Sequence, residues 1–314
     1  MGSNMKMQIK CVVILIEALI VLGCSNMKKE SDWAKDNLKN KVLSYNEVSY
    51  IVVERFGNIE RVKRGRDNVM GDDLQKKYNE KGNVLEVNVY NSNGSLRSVL
   101  TSKYDKMGNI IEENVYNSDG SLRSKLTSKY DDMGNIIEWN QSNSNGRLDY
   151  MWISTYDEKG KKIEGNLYNF EGSPLSKSRY DEKGNVIEWC GFNLDGSLRS
   201  KSICKYDEKG NLIEENHYNS DGSLAWKGTS KYDEKRNVIE WKNYESDRLL
   251  STFTYKYDKK GNKVEENAYD LDGNLTSKWT YKYEYDTQDN WVKRIDFKDG
   301  IPKYLVERRY EYYK

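Results

Sequence analysis

From Lys77 onward, apolar and aromatic residues alternate with polar ones in runs of about eight residues, which is strand length and strand patterning. Most runs end in a polar corner that carries a glycine. The clearest copy, Lys103 to Ser128, reads KYDKMGNIIEENVYNSDGSLRSKLTS. Its first tyrosine recurs at Tyr78, Tyr104, Tyr130, Tyr156, Tyr180, Tyr206, Tyr232, Tyr257 and Tyr283, in steps of 26, 26, 26, 24, 26, 26, 25 and 26. A fixed period of that size marks a repeat architecture. Each unit holds two corners, such as Asp105-Lys106-Met107-Gly108-Asn109 and Asn117-Ser118-Asp119-Gly120-Ser121. Both suit a type I turn closed by a left-handed glycine, the common three-residue hairpin loop. The unit is therefore two antiparallel strands, and the chain an all-β meander of about nine such units.

With three-residue loops throughout, Tyr104 faces Ile110, Ser102 faces Glu112, and Tyr116 faces Leu122. That register defines an inner face of Tyr, Leu and Ile and an outer face rich in Lys and Arg. It shifts by two residues per hairpin, as in a tilted, coiling sheet. The expected architecture is a curled or superhelical sheet that does not close, because so many strands would leave a cylinder too wide to fill.

On this register one inner position holds a carboxylate in almost every unit: Glu86, Glu112, Glu138, Glu164, Glu188, Glu214, Glu240 and Glu265. An inward charge needs partners. A structural polar ladder to neighbouring Ser, Tyr or Asn is favoured over a row that binds cations or sugars. Trp139, Trp189 and Trp241 recur in every second unit on the outer face, as candidates for stacking on a ligand. Packing over lysine stems is the plainer reading. Trp152, Trp226 and Trp279 are expected on the inner face as core.

Ahead of the repeats, Lys6 and Lys10 flank the start of an apolar run, Cys11 to Leu22, that ends in Val21-Leu22-Gly23-Cys24. Residues 1–23 read as a secretory signal too short to span a membrane. Met5 is the better start, and Glu17 is out of place in the run. The last four residues resemble a bacterial lipobox, which implies cleavage before Cys24 and lipid on its sulfur and amine. Residues 24–41 read as a polar tether and 42–76 as an atypical hairpin that caps the repeats, which occupy 77–314. The C-terminal strand is expected to close the sheet as an edge guarded by Arg308 and Arg309.

Hydrophobic residues make up 36% and charged residues 32%, so tyrosine, with 25 copies, must supply buried surface. Removing Lys6, Lys10 and Glu17 with the leader leaves 49 basic and 49 acidic residues, which gives nucleic acid no electrostatic footprint. His217 is the only histidine, placed on the charged face, so triads and His-rich metal sites are excluded. No cofactor site is indicated. Cys190 and Cys204 are expected as buried free thiols on the inner face, about 13 Å apart and too far for a disulfide.

The Tyr-Asp-x-x-Gly-Asn cores at Tyr104, Tyr130, Tyr180, Tyr206 and Tyr257 resemble the YD (RHS) repeat family over roughly 77–314, with a longer period than that family's. The resemblance implies curled β-shells acting at the cell envelope, and the chain is similar to small repeat lipoproteins of Bacteroidetes. The expected function is a non-enzymatic, lipid-anchored surface for binding or scaffolding, held on the outer membrane of a Gram-negative cell, with a protein or glycan as partner. A carbohydrate-binding accessory using the outer tryptophans is the alternative. A glycosidase using inner-face Glu pairs ranks third.

Overall fold

A computed structural model describes residues 31–65 and 73–314. The signal, the lipobox and Cys24 lie outside the described residues. A four-residue helix, α1 (Asp32–Lys35), leads into a 14-residue strand, β1 (Val42–Arg55), which turns back as β2 (Asn58–Arg64). The repeats supply β3 (Asp73–Tyr78) through β21 (Ile301–Tyr312), each strand antiparallel to the next. The loops are as the sequence implies. Asp105 N–H donates to Asn109 C=O at 2.9 Å, Gly108 N–H donates to Asp105 C=O at 3.1 Å, and Gly108 has φ +84°.

The sheet closes, and this corrects the expected open superhelix. β1 pairs with β21 along one edge, Tyr45 opposite Tyr310 and Glu47 opposite Arg308. Its other edge takes β3, Glu47 opposite Leu74, and farther along β2. The result is a 20-strand antiparallel barrel with β2 as one extra strand. β21 is thus an interior strand of the wall, and Arg308 points at Glu47 instead of guarding an edge. The physical gain is that the two ends of the meander lose their unpaired backbone rows. Width did not forbid closure, because the interior is not filled. At about 4.8 Å between strands and a tilt near 37°, a circular wall of this many strands is about 38 Å across. Both buried hydrophobic clusters, Trp139 with Trp152 and Leu167, and Leu38 with Val42, Tyr45 and Tyr78, join neighbouring segments and not opposite walls.

A second correction concerns the faces. In β5 (Leu96–Tyr104) and β6 (Ile110–Asn117), Tyr104 does face Ile110, but Lys103 then faces Glu112 and Ser102 faces Glu113. Ile111 is an extra residue with no partner, a β-bulge. The same slip occurs in every hairpin from β3 to β21, one residue into the returning strand or, at Leu250 and Lys303, two: Leu85 follows the pair Tyr78–Val84, Arg123 follows Tyr116–Leu122, and Ile137 follows Tyr130–Ile136. A one-residue slip exchanges the two faces of a strand. The face that takes the buried Trp152, Tyr45 and Tyr78, and that α1 packs against, is the inner one.

Tyrosine stitches unit to unit. The hydroxyl of Tyr104 donates to Val84 C=O at 2.7 Å, that of Tyr130 to Ile110 C=O at 2.7 Å, and that of Tyr156 to Ile136 C=O at 2.8 Å. Each reaches the backbone of the residue that pairs with the preceding tyrosine. The requirement for Tyr in the unit is therefore the ring on the inner face and the hydroxyl on its neighbour.

Residues 31–41, expected as part of a solvated tether, are packed along one rim. Trp33 N–H donates to Gly82 C=O at 3.2 Å and Val84 N–H to Asp32 Oδ2 at 2.8 Å. Asn37 Nδ2 reaches Lys260 C=O at 3.3 Å, and Lys39 N–H reaches Asn290 Oδ1 at 2.8 Å. All four partners lie at Tyr-Asp-type corners, so this segment straps the rim those corners form.

Candidate functional site: the inner aromatic face

The bulges bring six of the seven tryptophans in 77–314 to one side, and the seventh, Trp291, stands at the seam. Trp139, Trp189 and Trp241, expected outside, share the inner face with Trp152, Trp226 and Trp279. Trp139 pairs directly with Trp152, Trp189 sits between Ser178 and Ser202, and Trp241 sits between Ser230 and Phe253. Small residues beside them leave room for the rings. A Cβ on Gly165 would lie 2.1 Å from the Trp152 ring, and one on Gly191 would lie 2.6 Å from Trp189. The glycines are there because an indole covers their backbone.

The rings form parallel pairs. Trp139 and Trp152 are within 5° of parallel with centroids 6.5 Å apart, and Trp279 and Tyr304 are within 6° at 6.1 Å. Trp226 stacks on His217 at 17° and 5.9 Å. Trp152 is buried, its Nε1 donating to Ser154 Oγ at 2.9 Å, and the Lys162 ammonium lies 5.3 Å from its ring centroid. The other four, Trp189, Trp226, Trp241 and Trp279, are partly open to the interior. Such rings bind planar or pyranose faces by stacking.

Polar groups line the same face. His217, expected on the charged face, is inside, its Nδ1 3.0 Å from Ser202 Oγ. Glu113 and Glu215 are inner carboxylates that burial pushes above the ordinary carboxyl range. Glu215 stands opposite Cys204, whose thiol burial raises to about 12, so it is not a nucleophile at neutral pH. Cys190 is also free but lies on the outer face between Lys177 and Lys201, so the two thiols are on opposite sides of the wall and neither is fully buried.

The glutamate row lies outside, again through the bulges. Glu112 receives Lys103 at 2.7 Å and Lys125 at 2.6 Å, and Asn114 Nδ2 donates to it at 2.9 Å. Glu214 takes Lys205 and Lys227, and Glu265 takes Lys256 and Lys278. Glu86, Glu138, Glu164, Glu188 and Glu240 hold Lys77, Lys129, Lys177, Lys201 and Lys231 in the same way. Hydrogen bonds from Lys103, then Lys125 and Asn114, hold the Glu112 carboxyl at about 2. The row is a belt of Lys–Glu–Lys pairs around the barrel. A carboxylate held that low does not serve as a general acid near neutral pH.

The sequence missed the cluster at the seam. Arg308 Nε donates to Glu47 at 2.7 Å, and its guanidinium lies 3.9 Å from the Trp291 ring centroid and 4.6 Å from that of Tyr45. Arg294 is fixed beside it by Asp296 at 2.6 Å. Among the described residues, no group of three or more His, Cys, Asp or Glu is placed to hold a metal.

No protein-family model matches the chain, and no curated protein matches it. Among solved structures, it is similar to a porin-like protein from Bacteroides uniformis, at 9% identity over 87% of this chain and 98% of that one, with a TM-score of 0.37. A porin-like protein from Bacteroides vulgatus aligns at 11% identity over 87% and 99%, with a TM-score of 0.33. The TcdB2-TccC3 structure aligns at 13% identity over 81% of this chain but 19% of its own, with a TM-score of 0.28.

Proposed function

We propose that this chain is a non-enzymatic cell-envelope protein, anchored by lipid at Cys24, whose barrel stands in water and binds its partner on the inner aromatic face. The observation that carries this reading is the division of the two faces. A lipid-facing barrel needs an apolar outer band roughly 25 Å tall, and each Lys at the bilayer midplane costs about 2–4 kcal/mol. Here the outer wall carries the Lys–Glu–Lys belt, with Lys103, Lys129, Lys205, Lys231 and Lys256 well exposed. The barrel is suited to water on both sides, and membrane attachment falls to the lipobox-like Val21-Leu22-Gly23-Cys24. The repeat corners keep the likeness to YD repeats, and an outer-membrane location suits Ser25, which stands after Cys24 where an inner-membrane retention signal has Asp. In this reading the domains are a signal at 1–23, a tether from Cys24, an atypical first hairpin within 42–76, and the repeat wall at 77–314.

The partly open indoles Trp189, Trp226, Trp241 and Trp279 favour a second, finer reading, in which the ligand is a glycan. Flat rings beside Ser, Asn and His side chains offer both a stacking platform and hydroxyl partners. Two measurements test the proposal. Mass spectrometry of the protein from the membrane fraction should find an acylated Cys24, and Cys24→Ala should move the protein to the soluble fraction. Glycan-array binding should be lost on Trp226→Ala with Trp241→Ala. A soluble wild-type protein overturns the anchor, and array binding unaffected by the tryptophans overturns the glycan.

A further inference from the structure

The two rims of the barrel differ in the residues that stand at their bulges. The bulged residue next to each Tyr-Asp-type corner is aliphatic in unit after unit. Leu85, Ile111, Ile137, Ile163, Ile213 and Ile239 are 36–46% exposed, so the rim wears an apolar ring one residue high. The equivalent bulges at the other rim include Arg97, Arg123 and Arg199. Each keeps more than a third of its surface open, and repeated exposed aliphatics mark an interaction surface, although single apolar side chains such as Leu194 and Leu271 stand open on the other rim too.

The corner tips follow the same division. Before the glycine, the Tyr-Asp rim has Lys81, Lys159, Lys183, Lys209 and Lys260, with the exposed Met107 and Met133 between them. Glutamates precede several of these lysines, so this rim is mixed in charge. At the same position the opposite rim has Asp119, Glu171, Asp195, Asp221 and Asp272 and no lysine. These tips make the opposite rim the acidic one by its corners, but Arg97, Arg123, Arg147 and Arg199 just beyond them offset that charge, so charge does not select a rim and connectivity must.

The chain's own connectivity chooses the Tyr-Asp rim. Residues 31–41 strap the Tyr-Asp corners, with Asp32 bonded to Val84 and Trp33 to Gly82. Six residues separate Cys24 from Ser31, and the seven steps from one to the other span at most about 24 Å. An acyl group on Cys24 therefore holds this rim, and not the acidic one, within that distance of the bilayer. We propose that the Tyr-Asp rim rests on the membrane surface, with its aliphatic ring and methionines in the headgroup layer and the acidic rim turned away. The interior then opens at the acidic rim, because the opposite mouth is narrowed by the residue 31–41 strap and by the bilayer itself.

This rests on lipid attachment at Cys24, and the experiment separates the two. The mature chain, with Cys190→Ser and Cys204→Ser, is coupled through Cys24 to a maleimide lipid in vesicles of phosphatidylethanolamine and phosphatidylglycerol, which supplies the anchor whether or not the cell does. Photo-reactive benzoylphenylalanine is placed singly at Ile111 or Ile213 on one rim and at Leu194 or Leu271 on the other. Circular dichroism checks that each variant keeps the fold. Lipid adducts at Ile111 and Ile213, absent at Leu194 and Leu271, are the expected result. Adducts at Leu194 and Leu271, equal adducts at both rims, or none at either overturn the orientation. An unacylated Cys24 in cells overturns the anchor alone.

Discussion

At the scale of single residues the glycines divide into two kinds with different physics. Gly120 has φ +83° and open space around the position of a Cβ, so only its backbone conformation asks for glycine. Gly120→Ala should cost about 1–2 kcal/mol, the penalty of the left-handed region. Gly165 has no positive φ, but its missing Cβ makes room for Trp152. Gly165→Ala should cost about 1–3 kcal/mol by overpacking and should also change the Trp fluorescence, because the indole must move. Urea unfolding of both variants checks this pair. If Gly165→Ala leaves stability and emission unchanged, the indole does not lie on that backbone. The corner glycine was legible in the sequence because the turn has a local signature. The strand glycine was not, because its cause is a tryptophan 13 residues earlier on a neighbouring strand.

At the scale of the element, the hairpin decides which side chains share a face. The corner register was readable, since Tyr104 with Ile110 and Tyr116 with Leu122 follow from loop length. The bulge just beyond was not. Ile111 and Ile110 are chemically alike, and period-2 patterning carries no mark of an unpaired residue. That single omission placed the eight glutamates inside and Trp139, Trp189 and Trp241 outside. Faces can be read directly in the Cys190→Ser, Cys204→Ser background. A thiol at position 112 (Glu112→Cys) should react with a maleimide faster than one at position 113 (Glu113→Cys), and equal or reversed rates would remove the bulge. The belt also has a pH signature. The carboxyls of Glu112, Glu214 and Glu265 are held at about 2, so their contribution to stability is full above the unfolded value of about 4.3 and is lost as pH falls toward about 2. Glu113 and Glu215, raised by burial, act with the opposite sign: they oppose folding once pH rises through the ordinary carboxyl range. Melting temperature should therefore fall between about pH 4.3 and 2, and Glu112→Gln with Glu214→Gln and Glu265→Gln should flatten that fall. An unchanged acid limb would mean that the belt does not couple to folding.

At the scale of the molecule the question is whether the wall encloses water. The repeat alone leaves this open, because every unit is satisfied by its neighbours and the meander could end as an open sheet. Closure comes from β1, which belongs to no repeat and whose sequence gave no sign of pairing on both edges. Its seam is the most heavily reinforced part of the inner face: Arg308 lies against Trp291 and Tyr45 while bonded to Glu47, and all four side chains are contributed by three adjacent strands. Both ends of the meander are thereby committed, so the cross-section is set by strand number and stagger and not by interior packing. The buried clusters along the wall are consistent with that, since each joins neighbours only. A filled globule of this length would have a radius of gyration of about 19 Å, whereas a circular twenty-strand wall with an open interior gives about 22 Å. Small-angle scattering of the mature protein should give the larger value, with a pair-distance distribution shifted toward the diameter. A value near that of the filled globule would mean that opposite walls have collapsed onto each other, leaving the tryptophans no interior in which to meet a ligand.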